Sequence, residues 1–137
     1  MTVGLDQMPV PAPSALSAYP VGANQLINSQ TGAHADIACT LTPTKTTRTA
    51  YLKRIRVTGL GITTAASIQI TSTGLLGGQI TETMPIAAGA TAAVTALDLI
   101  FDPPLVASGP NVAIVVDVPS FGTGNTVQSA TAYGFEL

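Results

Sequence analysis

The sequence has no tryptophan, one histidine, one cysteine and few charges. Each shortage removes a class of function. A lone cysteine, Cys39, excludes an internal disulfide, and a small apolar role within a strand is its default. A lone histidine, His34, leaves a zinc or cupin-type metal site short of ligands, because such sites draw three or four donors from His, Cys or carboxylates. A Ser–His–Asp hydrolase would have to combine His34 with Asp36, which a strand sets on one face, yet no Gly-x-Ser-x-Gly elbow accompanies them. His34 is therefore expected in a solvated loop.

Aromatic residues make up only 4% of the chain. The core must be built from Ile, Val, Leu and Ala, and a sugar-stacking platform has little to draw on. Charged residues make up 9%, against about 25% in an ordinary soluble domain. With a mean hydropathy of +0.44, such a surface is expected to be covered by other subunits or partners. No apolar run approaches the length of a membrane span. The N-terminal stretch MTVGLDQMPVPAPSALSAYP lacks the basic and continuous apolar regions of a signal peptide. Synthesis in the cytoplasm, with no membrane partner, is the expectation.

The acids Asp6, Asp36, Glu82, Asp98, Asp102, Asp117 and Glu136 are scattered. Asp98 and Asp102 could share a strand face, as a paired-carboxylate glycosidase would need, but rings to stack a sugar are few. Calcium at Asp102 or Asp117 would lack an EF-hand-like loop. The glycines of GLLGG and FGTGN precede no helical pattern, so they read as turns rather than phosphate cradles. No cofactor is expected, and the chain reads as non-enzymatic.

What is present is β-structure. Threonine is abundant, and Thr, Val and Ile suit a pleated, half-buried strand. From residue 35 onward, apolar positions recur every second residue. They do so in ADIACTLT, TAYLKRIRVTG, ASIQITST, QITETMPI, AVTALDLIFD, NVAIVVDVP and VQSATAYGFEL. In TAYLKRIRVTG the spacing predicts Tyr51, Ile55 and Val57 on one face, with Leu52, Arg54 and Arg56 on the other. Gly, Pro and Asn clusters separate these runs. Pro103-Pro104 reads as the stop of one of them. The expected fold is all-β: a two-sheet antiparallel sandwich of jelly-roll or Greek-key type over residues 35–137. Residues 1–34 carry Pro9, Pro11, Pro13 and Pro20, and form either an extended N-terminal arm or a disordered tail.

One distribution stands out. All the basic residues, Lys45, Arg48, Lys53, Arg54 and Arg56, fall in one short window that contains no acid. The window is either an edge strand blunted by charge or a docking patch for an acidic protein surface. Nucleic acid is disfavoured by the net charge of −2 and by the lack of an aromatic run interleaved with the basic residues.

The runs RTAYLKRIRVTGLG, ITSTGLLGGQITETMPI and FDPPLVASGPNVAIVVDVPSFGTGNTVQSATAYGFEL resemble the small jelly-roll virion proteins of tailed bacteriophages, of the capsid-decoration type. The resemblance covers roughly residues 35–137 and omits the arm. It implies a non-enzymatic protein on the outer capsid surface, bound to the major capsid protein and often trimeric. It carries no site residues; the basic window and the arm are read from the residues alone. A carbohydrate-binding jelly roll for host-surface attachment is the alternative. Its rings would have to come from Tyr19, Tyr51, Tyr133, Phe101, Phe121 and Phe135.

Overall fold

The period-two runs become eight strands, with no helix among the described residues. The structure is a computed structural model that describes residues 19–61, 66–86 and 94–137. In chain order the strands are β1 (Asn24–Gly32), β2 (Ile37–Leu41), β3 (Ala50–Leu60), β4 (Ala66–Thr73), β5 (Ile80–Ile86), β6 (Val94–Val106), β7 (Ile114–Val118) and β8 (Val127–Glu136). They form two antiparallel sheets, ordered β1-β8-β3-β6 and β2-β7-β4-β5.

This order has a simple origin. The pairs β1·β8, β2·β7, β3·β6 and β4·β5 are those of one long hairpin. Wrapping that hairpin about itself sends alternate pairs to alternate sheets, which is the jelly roll. Each sheet then has one apolar face to bury, and the two faces close on each other. The first sheet contributes Leu26, Leu52, Ile55 and Val57; the second contributes Cys39, Leu41, Ile70, Met84, Ile114, Val116 and Val118.

The inner face of β8 holds the layers together. Inward it presents Gln128, Ala130, Ala132, Gly134 and Glu136, with polar groups at the two ends and small residues between. The small residues let the opposite sheet approach closely enough for the Cys39 thiol to donate to the Ala130 carbonyl at 3.2 Å. Burial pushes the pKa of that thiol up, against backbone contacts that lower it.

The structure departs from the strand faces expected of TAYLKRIRVTG. The register of β3 shifts between Leu52 and Arg54 against both of its neighbours, so Lys53 sits in a β-bulge. One extra residue reverses the side-chain alternation beyond it. Leu52 therefore joins Ile55 and Val57 in the core, and Tyr51 shares the outer face with Arg54 and Arg56. Gly134 makes room for the bulge. A Cβ there would collide with the Tyr51 carbonyl oxygen.

Two boundaries also move. β6 continues through Pro103-Pro104 instead of stopping there. It lies at a sheet edge, where a missing backbone N–H costs least. Its pairing with β3 jumps from Ile100 to Leu105 across that segment, which includes a cis Asp102–Pro103 bond. β1 falls inside the segment assigned to the arm, and pairs with β8 over its whole length. Its composition hides it, since only Leu26 of this polar strand is buried. The sandwich thus takes in residues from Asn24, while residues 1–18 of the arm lie outside the described residues. So does the alanine-rich stretch 87–93.

Two substitutions test this packing. Gly134→Ala should destabilise the fold by about 1–3 kcal/mol, because the new methyl meets backbone rather than a side chain that can move. Ile55→Ala, a cavity mutation between the sheets, should cost about 2–5 kcal/mol. Urea denaturation measures both. A Gly134→Ala midpoint equal to wild type would remove Gly134 as the seat of the bulge.

Candidate docking face

Register across the first sheet turns its outer surface into rows. Gln25, Phe135, Tyr51 and Val106 lie side by side across the four strands. The next row is Ile27, Tyr133, Arg54 and Ile100, and the one after it is Ser29, Thr131, Arg56 and Asp98. Thr31, Ser129 and Thr58 follow. Moving along the strands, the face passes from aromatic, through mixed apolar and cationic, to hydroxyl-bearing.

The aromatic end is built by stacking. Tyr51 and Phe135 lie parallel with centroids 4.8 Å apart, and Tyr19 meets Phe135 edge-on at 5.7 Å. Gln25 donates a hydrogen bond to the Tyr19 hydroxyl at 3.1 Å. Phe135 is left 2% exposed although it points away from the core. Beside these rings, Tyr19, Lys53, Arg54, Ile100 and Tyr133 line a shallow groove of about 280 Å³. Ile27 and Ile100 remain 52% and 67% exposed.

The structure divides the basic window by role. Its reading as edge protection fails, because β3 lies inside the sheet, between β8 and β6. Arg54 makes a two-pronged pair with Asp98: Nε donates to Oδ1 at 2.7 Å and Nη2 to Oδ2 at 2.5 Å. Its guanidinium carbon also stands 5.5 Å from the centroid of the Tyr133 ring. That hydrogen bond raises the pKa of Arg54 and lowers that of Asp98; slight burial opposes both shifts, and attraction between the charges adds to them. Arg56 faces Asp98 in register and Lys53 lines the groove. Lys45 is exposed in the loop between β2 and β3. Arg48, in the same loop, turns to the end of the sandwich.

There it meets Glu136, a carboxylate with no exposed surface. Glu136 accepts from the Thr44 backbone N–H at 2.6 Å, from the Thr44 hydroxyl, and from the Asn24 side chain at 3.1 Å. The Arg48 Nε stands 4.0 Å away. Burial raises the pKa of this carboxyl, and the donors together with Arg48 outweigh it, holding the group below the usual carboxylate range. One buried acid thereby ties β1, the β2–β3 loop and the last strand together. The opposite end is closed by amides. Gln128 donates to the Pro119 and Val118 carbonyls and accepts from the Phe121 N–H. Asn125 donates to the carbonyls of Leu60 and Val127.

The residues weighed for chemistry serve the backbone. The Asp36 carboxylate accepts the Ser120 N–H at 2.7 Å, and His34 Nδ1 stands 3.4 Å from the Gly122 carbonyl. Asp98, one half of the imagined carboxylate pair, is held by Arg54. Among the described residues, no three His, Cys, Asp or Glu side chains gather as metal ligands. Sequence reasoning named Tyr19, Tyr133 and Phe135 only as material for a sugar platform, set Tyr51 on the face opposite Arg54 and Arg56, and did not place these rings beside the basic residues. The Tyr133–Phe135 spacing was the available signal, since alternate residues of one strand share a face.

Comparison with protein-family models, with curated proteins and with solved structures finds no match.

Glu136 makes stability depend on acid. A carboxyl with a lowered folded pKa contributes stability fully above its unfolded value, 4.5, and loses it as pH falls through the folded value. Glu136→Gln should therefore melt several degrees below wild type at about pH 7, with the gap narrowing as pH falls below 4.5 and through the lowered folded value. A gap that stays constant with pH, read by thermal denaturation, would show that the charge of Glu136 is not what stabilises this end.

Proposed function

We propose that this chain is a non-enzymatic virion structural protein that decorates or cements a bacteriophage head. It acts as an oligomer on the outer capsid surface and docks on the major capsid protein through the outer face of the β1-β8-β3-β6 sheet. The observation that carries this reading is the row Ile27–Tyr133–Arg54–Ile100. It leaves two isoleucines in solvent, flanked by Lys53 and Arg56, in a chain with very few charges elsewhere. A rigid face of mixed apolar and cationic character suits a broad protein contact, in which central rings and arginines supply most of the binding energy. Arg54 is already neutralised by Asp98, so Lys53 and Arg56 are the charges that meet an acidic partner. The resemblance of residues 35–137 to capsid-decoration proteins points the same way.

A carbohydrate-binding role has one observation in its favour. Arg56, Thr58, Ser129, Thr131 and Tyr133 line a polar groove of about 270 Å³ that would suit a polyol. Against it, Tyr51 and Phe135 stack on each other instead of presenting an open ring face. Hits on a glycan array, with no capsid binding, would establish this second reading in place of the first.

Co-sedimentation of the purified protein with undecorated heads, over a salt series, tests the docking face. Lys53→Glu with Arg56→Glu should weaken attachment about tenfold or more at low salt and flatten its salt dependence. Unchanged attachment would overturn this choice of face. The arm is tested separately by removing residues 1–18, which spares β1. The truncated protein should fold and bind more weakly, and binding at full strength would remove the arm from the interface.

A further inference from the structure

An open sheet edge pairs with another strand unless the sequence blocks it. The sandwich has four edge strands, β1 and β6 in one sheet and β2 and β5 in the other. Three carry a block. β6 contains Asp98 and the Asp102-Pro103-Pro104 segment, where its ladder is interrupted. β5 contains Glu82 and Pro85, and β2 is only 5 residues long. β1 has none of these devices. Its 9 residues, NQLINSQTG, include no charge and no proline, and they pair with β8 without a register shift. Among the described residues, β8 is the one strand hydrogen-bonded to β1. In an antiparallel ladder only alternate residues bond a given neighbour, so the others direct their N–H and C=O groups to the open side. Ile27, half exposed in the middle of the strand, marks that side as unfinished.

We propose that β1 pairs antiparallel with β1 of a second copy of this chain about a twofold axis. The two four-stranded sheets then become one continuous sheet. The occupant follows from the strand's own sequence. Centred on Asn28, self-pairing sets Asn28 against its copy, Ile27 against Ser29, Leu26 against Gln30 and Gln25 against Thr31. A twofold pairing usually brings like charges near each other, and a neutral strand escapes that cost. The central amides are both donors and acceptors, so they complement themselves. The pairing also runs the row Ile27–Tyr133–Arg54–Ile100 of one protomer into the row Ser29–Thr131–Arg56–Asp98 of the other, doubling the face that each assembly presents. This arrangement is pairwise, where the resemblance implies threefold association. It does not depend on the capsid reading, since it concerns the protein alone.

Sedimentation velocity on the full chain, from on the order of 1 to 100 μM, tests the proposal. Wild type should reach a dimer. Ile27→Lys with Ser29→Lys places lysines opposite each other across the seam and should raise the dimer dissociation constant about tenfold or more. Ile27→Lys with Ser29→Glu places opposite charges there and should keep the dimer. Both variants lose the Ser29–Thr131 hydroxyl contact, so that loss cancels in the comparison, and circular dichroism checks the fold of each. A wild-type monomer throughout the range would overturn the proposal. So would an oligomer that responds equally to the two variants.

Discussion

One inserted residue against one missing side chain decides what this protein shows to the outside. Lys53 is the extra residue of β3, and Gly134 is the position on β8 that gives the bulge room. Without the bulge, the alternation of β3 would place Leu52 in solvent beside Arg54 and Arg56, and Tyr51 in the core. With it, the core receives Leu52, Ile55 and Val57 in one layer, and the outer face receives Tyr51, Arg54 and Arg56 in another. The stacked Tyr51–Phe135 pair depends on that reversal, which sets Tyr51 on the same face as the Arg54–Tyr133 contact. Bulges recur where a strand must re-aim a side chain, and here the re-aimed residues make up the candidate docking face.

The same strand that accepts the bulge also seals the sandwich. β8 places small residues where the sheets come closest, and long polar ones at the ends. A buried carboxylate is costly unless donors surround it. Glu136 meets that condition through Thr44 and Asn24, with Arg48 nearby, and so it fixes the first and last strands to one another. Gln128 and Asn125 satisfy loop backbone at the other end. The few polar side chains of the interior thus sit at the rims, where chain crossings leave backbone groups without ladder partners.

The functional reading rests on the contrast between a settled interior and an unsettled exterior. His34, Asp36 and Asp98 have backbone or ion-pair duties. Among the described residues, the isoleucines of the outer face have none, and β1 has an open side. Low charge, exposed apolar groups and an unblocked edge all suit a protein whose working state is an assembly. Capsid decoration is the assembly proposed for it.

The residue pattern alone disclosed the all-β fold class and much of the core. Period two in residues such as Ile114, Val116 and Val118 needs only local backbone geometry to be read. It also disclosed the cluster of basic residues. It did not disclose β1, whose polar residues form a strand because β8 offers backbone partners rather than because a face is apolar. Nor did it disclose that Pro103-Pro104 could be carried within β6, since tolerance of a missing N–H depends on lying at an edge. The candidate site was half legible: Arg54 and Arg56 were read as neighbours, but their union with Tyr51, Tyr133 and Phe135 was not. That union comes from long-range pairing, because a bulge changes the parity of a strand through its register with β6 and β8, which lie far along the chain.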